Sequence, residues 1–300
     1  MKKALLIIAI VGACLLLIGG AILAICISKM DWNLDALSDT VYMEQTASFA
    51  ANDVREIVVD VHTEKVLILP SEDDDITVQY YILKDKKDNV LRQVIPALEG
   101  DVLRCVEEQV DASGGRFAFS HQEKLVVKVP ADKVLAYTVK VTTGDVCIGE
   151  DGKTRHASTL DINATTGSVT LRGNTVCEGN MDVKVTTGSV TFAGAVECGG
   201  NASIRTSTGK IKINEPLTAS GVALTTTTGD IICGGVMRCD NLTAQATTGD
   251  VSLRLAGDKA QYSYIYETST GKSNVSAFTL GDKRIDVRTT TGDIDVDFVG

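Results

Sequence analysis

Three hundred residues suit one large domain or two ordinary ones, and 29 Lys and Arg against 39 Asp and Glu leave a net charge of −10. A chain this acidic repels phosphate backbones, and no basic stripe offsets the repulsion, so nucleic acid is excluded as a partner. With only 4 prolines and 5% aromatics, and with Thr, Val and Gly plentiful, the composition leans towards all-β structure, because branching at Cβ suits a pleated surface.

The first thirty residues differ from the rest. Met1-Lys2-Lys3 precedes 24 uncharged, almost wholly apolar residues, Ala4 to Ile27, followed by Ser28 and Lys29. As a helix this run would be about 36 Å long, enough to cross a hydrocarbon core of about 30 Å with some tilt. A cleaved signal peptide is the competing reading, but its apolar stretch is normally shorter and ends at a small-x-small site. Val11-Gly12-Ala13-Cys14 is similar to a lipoprotein box, yet the apolar run continues past Cys14. Residues 1–29 are therefore expected to be a transmembrane anchor with a short cytoplasmic N-terminus. Lys2 and Lys3 favour that orientation, Lys29 weakens the asymmetry, and Trp32 suits the interface. The rest of the chain would lie outside the cell membrane, single-pass and extracytoplasmic.

Residues 30–52 read as a stalk. Residues 53–135 read as an N-terminal β region, with strand-like runs at 76–83, 90–96, 102–106 and 125–129 separated by charged or Gly-containing turns. This region is either a small β subdomain or a set of irregular coils.

Residues 136–300 carry the strongest signal, an internal repeat. The tetrapeptide [ST]-T-G-[DSK] recurs with its glycine at Gly144, Gly167, Gly188, Gly209, Gly229, Gly249, Gly271 and Gly292, at intervals of 23, 21, 21, 20, 20, 22 and 21. Two and four residues after each glycine stand apolar side chains, such as Val190 and Phe192, and only Ser273 breaks that rule. Seven and five residues before it stand further inward candidates, such as Met181 and Val183, with polar residues between. This alternation means strands with one buried and one wet face. Each unit is a strand, a tight glycine bend, a second strand and a variable return. One unit of about 21 residues buries too little to stand alone, whereas stacked units cover one another's apolar faces. The expected fold is a parallel β-solenoid of about eight coils of 20–23 residues, preceded by the single transmembrane helix. A ninth, degenerate copy lies upstream, where Ile57, Val59, Val61, Val66 and Ile68 match the same offsets and Glu64 replaces the glycine.

Cys177 and Cys198 each lie ten residues after a repeat glycine, in adjacent coils. A column of small buried residues and a disulfide both fit that placement. No C-x-x-C occurs and the three histidines are far apart, which argues against structural zinc; no cofactor or metal is expected. Asp145, Asp230, Asp250 and Asp293 recur after the bend, but Ser168, Ser189, Lys210 and Lys272 interrupt the carboxylate column, so solvated turns are expected ahead of a Ca²⁺ site. Thr270-Gly271-Lys272-Ser273 mimics the end of a phosphate loop without its first glycine, since Tyr266 stands there. Tyr262, Tyr264 and Tyr266 alternate in one strand and are expected in the core or cap. The threonine before each glycine, Thr143, Thr166, Thr187, Thr208, Thr228, Thr248, Thr270 and Thr291, would form a straight row if the coils stack. Turn chemistry explains such a row, and recognition of a periodic surface such as a glycan is the functional alternative.

Thr142 to Val146, Thr247 to Val251 and Thr290 to Ile294, together with Leu125-Val126-Val127-Lys128-Val129-Pro130, resemble a bacterial family of β-strand-repeat proteins that carry the label adhesin. The resemblance covers roughly residues 50–300 and implies a right-handed parallel β-helix or roll at a bacterial envelope. It carries over no functional residues. The expected function is non-enzymatic: a surface protein whose solenoid binds or scaffolds an envelope glycan or protein. A β-helix polysaccharide lyase or hydrolase is the alternative, on fold analogy alone. The chain stops soon after Phe298 without an evident cap, so self-association at an open solenoid end is a further expectation, with Asp295 and Asp297 as protection for the edge.

Overall fold

The computed structural model describes residues 40–110 and 124–300. The expected membrane anchor lies outside the described residues; among them, no helix is long and apolar enough to cross a membrane.

The repeat folds as its periodicity requires. Met181–Thr187 buries Met181, Val183 and Val185 and exposes the residues between them. After the bend, Val190–Phe192 buries Val190 and Phe192, and Val196–Cys198 completes a three-stranded coil. The next coil repeats these strands as Asn201–Thr208, Ile211–Ile213 and Leu217–Thr218. The two stack in parallel, with Met181 opposite Ala202, Val190 opposite Ile211 and Val196 opposite Leu217. One continuous core of Val, Ile and Leu runs through the stack. Each such side chain contributes about 1.5–3 kcal/mol on burial.

Every repeat glycine sits at φ between +137° and +154°. The conformation alone favours glycine, and the packing enforces it. A Cβ on Gly188 would stand 2.0 Å from the carbonyl oxygen of Gly167, and one on Gly209 would stand equally close to that of Gly188. The Gly188 N–H donates onward to the Thr208 carbonyl at 2.8 Å.

The order of the coils differs from the order of the repeats. The degenerate coil Glu56–Val61 and Lys65–Ser71 does stack on Leu135–Thr143 and Val146–Ile148, as its offsets require. However, the coil on its other side is a later segment, Val102–Gln109 with Lys124–Pro130. At the opposite end, Lys283–Thr291 inserts between Asn241–Thr248 and Tyr262–Thr270. The last two repeats are therefore swapped in space, and the described residues form ten stacked long strands rather than about eight coils.

Both ends carry a cap. Thr40–Ala50, Asp75–Asp85 and Val90–Glu99 form an antiparallel layer that continues into the first coil through Lys124–Pro130 and Val102–Gln109. The C-terminal end is covered as well, contrary to the open edge expected beyond Phe298. Residues 271–282 fold over it, with Phe278–Thr279 antiparallel to the terminal strand Tyr262–Thr270. Tyr264 packs on Phe278 with ring centroids 5.7 Å apart, and Tyr262 packs on Phe298 at 5.4 Å. Asn274 seals the strand Ile294–Val299 with its side-chain amide, which donates to the Val296 carbonyl at 3.1 Å and accepts the Val296 N–H at 2.9 Å.

Gly152 is also at positive φ, but a Cβ there meets nothing within 4 Å. Chemical denaturation should therefore separate Gly152→Ala, costing about 1–2 kcal/mol from the left-handed backbone alone, from Gly188→Ala, where the added clash should cost at least about 3 kcal/mol. Equal losses would contradict a contact-enforced bend.

Candidate functional site

The bend that stacks the coils also builds their most regular surface. Thr143, Thr166, Thr187, Thr208, Thr228 and Thr248 pair in register from coil to coil, followed by Thr291 and then Thr270. Thr63 holds the corresponding place one coil earlier, beside the Thr143 N–H bond to the His62 carbonyl. The preceding residues Thr142, Thr165, Thr186, Ser207, Thr227, Thr247, Thr290 and Ser269 are exposed too. The result is a hydroxyl-bearing face two residues wide, with a repeat of about 4.8 Å along the stack.

Inside that face, three residues before a repeat glycine, runs a set of inward threonines, buried except for the half-buried Thr268. Thr206 Oγ1 donates to the Gly188 carbonyl at 2.9 Å, and Thr226, Thr289 and Thr268 make the same bond to Gly209, Gly249 and Gly292. Val or Ala fills the same offset elsewhere, as in Val185 and Ala246. A Thr at an otherwise apolar inward position was the available signal.

On the other side of the glycines, the Asp and Ser side chains cap the neighbouring coil. Asp145 accepts the Ser168 N–H at 2.8 Å, Ser168 that of Ser189, and Ser189 that of Lys210. Asp230 accepts the Asp250 N–H, Asp250 that of Asp293, and Asp293 that of Lys272. Each series ends at a lysine, which has no acceptor. Lys210 instead pairs with Asp230 at 2.8 Å, and that bond, with the Asp250 N–H, holds the Asp230 carboxyl below its usual range. The carboxylates are thus committed to backbone amides, and among the described residues no group of three His, Cys, Asp or Glu side chains is placed to hold a metal ion. Lys272, in the phosphate-loop mimic, occupies one of these bends.

Cys177 and Cys198 lie in register on adjacent strands, and both thiols are free. They point at one turn, Cys177 Sγ 3.4 Å from the Asn180 carbonyl and Cys198 Sγ 3.1 Å from that of Gly179. Parallel Cβ atoms at the strand spacing of about 4.8 Å exceed the separation of about 3.5–4.5 Å that a disulfide favours. A hydrogen bond between the two thiols pulls that of Cys198 down to about 7 and, with burial, raises that of Cys177. Tyr262 and Tyr264 are buried and Tyr266 stacks on Tyr264 at 5.7 Å, so the tyrosines belong to the cap.

A shallow groove of about 690 Å³ opens beside the hydroxyl face. Leu67, Cys147 and Thr170 line it together with the charged Lys65, Asp151 and Arg172. The lining offers contact area and mixed charge.

Asp161 and Asp182 face outward in register on adjacent coils. Partial burial, then repulsion from Asp182, raises the Asp161 carboxyl above its ordinary value. A raised carboxyl weakens the fold once it ionises. Asp161→Asn should therefore gain about 0.5 kcal/mol or less at pH 7, and the gain should vanish below about pH 3, where unfolded aspartates also hold their protons. A stability difference independent of pH would contradict the pairing.

The profile of the Toastrack DUF4097 family matches residues 54–297. No curated protein matches the sequence. Among solved structures, the chain is similar to a Bacteroides fragilis protein described as a "putative adhesin", at 17% identity and a TM-score of 0.51, over 86% of this chain and 97% of that one. It is also similar to a Parabacteroides distasonis protein described as a "putative lipid binding protein", at 15% identity and a TM-score of 0.49, over 86% and 97%. At 17% identity the likeness to the B. fragilis protein concerns the fold alone.

Proposed function

We propose that this chain, which belongs to the Toastrack DUF4097 family, is a non-enzymatic cell-envelope protein whose solenoid presents a hydroxyl face to an envelope glycan or protein. The observation that carries this reading is the paired, in-register threonine face on a rigid parallel stack. Its spacing is fixed by backbone hydrogen bonds, so a binding partner would meet side chains already ordered. Preorganised side chains lower the entropic cost of association. Polar hydroxyls with methyl groups between them suit a partially hydrated polysaccharide chain better than a compact charged ligand.

Residues 1–29 would hold the protein at the membrane as a single-pass anchor, with the solenoid extracytoplasmic; within the stalk expected over residues 30–52, Thr40–Ala50 is instead a cap strand. The adhesin description of the B. fragilis protein accords with a surface role but names no ligand.

Thr187→Lys combined with Thr228→Lys alters two exposed positions without touching the core; surface changes of this kind cost about 0.5 kcal/mol or less each. Retention of the full-length protein on purified cell-wall polysaccharide should fall at least about tenfold in that variant, equal to about 1.4 kcal/mol, while its melting temperature stays near wild type. New reducing ends or unsaturated sugars in the polysaccharide would replace this reading with an enzymatic one.

A further inference from the structure

Arg155 points into the core rather than into solvent. It stands in the strand Thr154–Thr166, where the two-stranded coils of the N-terminal end widen into three-stranded ones, and it is 1% exposed. Two of its guanidinium nitrogens donate to the carbonyls of Pro130 and Val129, both at 3.3 Å. Those bonds are long for N–H···O contacts. The third nitrogen, Nε, is buried without a partner.

Two further orphans stand beside it. Strand pairing sets Thr175 opposite Arg155, and the Thr175 hydroxyl is buried and unbonded. Tyr137, also 1% exposed, has an unbonded hydroxyl. Burial raises that phenol, while the charge and a hydrogen-bonding contact of Arg155 act against the rise; the guanidinium lies beside the phenol, whose oxygen still lacks a hydrogen bond of ordinary geometry. Arg155, Tyr137 and Thr175 are thus three of the five described side chains with a buried polar atom lacking a hydrogen bond. Among the described residues, no carboxylate pairs with Arg155.

The chemistry is one-sided. A guanidinium does not give up its proton in a protein, so Arg155 stays charged. A buried charge facing only carbonyl dipoles is costly unless something of opposite sign meets it. The unpaired atoms are an N–H and two hydroxyls, all able to donate. A trapped water would accept hydrogen bonds but leave the charge unmatched. A small anion would satisfy both.

We propose that Arg155, Tyr137 and Thr175 form an enclosed site for one halide-sized monovalent anion, chloride under ordinary salt conditions. Arg155 Nε–H and the two hydroxyls donate to it, while the Val129 and Pro130 carbonyls hold the guanidinium in place. The ion joins the first coil, through Arg155's hold on Val129 and Pro130, to the coils carrying Tyr137 and Thr175.

The test uses full-length protein refolded in sodium bromide or in sodium gluconate at equal ionic strength. Crystals from bromide should show an anomalous peak beside Arg155 Nε. The melting temperature should rise with bromide concentration in the wild type, as expected for a ligand bound only to the native state. Arg155→Met should melt at a temperature independent of the anion. Tyr137→Phe and Thr175→Val keep the charge and nearly the same shape, and each should raise the half-saturating bromide concentration several-fold, which keeps the test open if Arg155→Met fails to fold. Identical melting in bromide and gluconate would overturn the proposal, as would a peak beside Arg155 that scatters as water or bromide confined to the outer surface.

Discussion

At each bend the backbone of one coil touches the backbone of the next. The carbonyl of Gly167 lies where a Cβ of Gly188 would stand, and the same contact recurs from Gly144 to Gly249 and on through Gly292 to Gly271. Glycine is required there twice over, by its positive φ and by the missing side chain. With the glycines locked, the preceding threonines must fall in register, and so must the Asp and Ser that follow. The hydroxyl face is a consequence of how the coils stack, and its spacing is that of the backbone ladder.

A parallel stack leaves a row of unpaired backbone groups at each end, which invites edge pairing. Both ends meet this by the same device. At each end the terminal coil and its inner neighbour are exchanged in chain order: the first coil is built after the second, and the last is built before the one inside it. At the N-terminal end, Glu56–Val61 is held between Val102–Gln109 and Leu135–Thr143. At the other, Lys283–Thr291 is held between Asn241–Thr248 and Tyr262–Thr270. Antiparallel strands, the aromatic cluster and the Asn274 amide then cover the outer rungs.

Much of this architecture was legible in the sequence because a β-solenoid writes its register into its spacing. The glycine offsets identify the inward residues and place Glu64 at the bend of an upstream coil, and the structure stacks Gly144 against that residue. What the spacing cannot carry is which coil neighbours which. Gly271 and Gly292 obey the same local rule, and only the long excursion through residues 257–282 decides that Gly292 meets Gly249 first. Region 53–135 resolves on the same grounds. Val102–Gln109 and Lys124–Pro130 are coil strands, while the strands before them, Asp75–Asp85 and Val90–Glu99, are cap strands that pair antiparallel. Arg155 stayed hidden because it lies in the variable return, outside the offsets counted from the glycine, where a polar residue reads as a solvated turn. The Asp column was visible, but its role as a backbone acceptor depends on the coil beside it.

A stack ordered in this way makes a rigid surface of fixed period, which is what the binding reading requires of it. Electron–electron distances between spin labels on exposed bend threonines test that order most directly. Thr291 lies six coil steps from Thr143 and Thr270 lies seven. At about 4.8 Å per step, Thr143 to Thr291 should measure about 29 Å and Thr143 to Thr270 about 34 Å between backbones. A shorter distance to Thr270 than to Thr291 would show the coils stacking in chain order and would contradict the interlocked end.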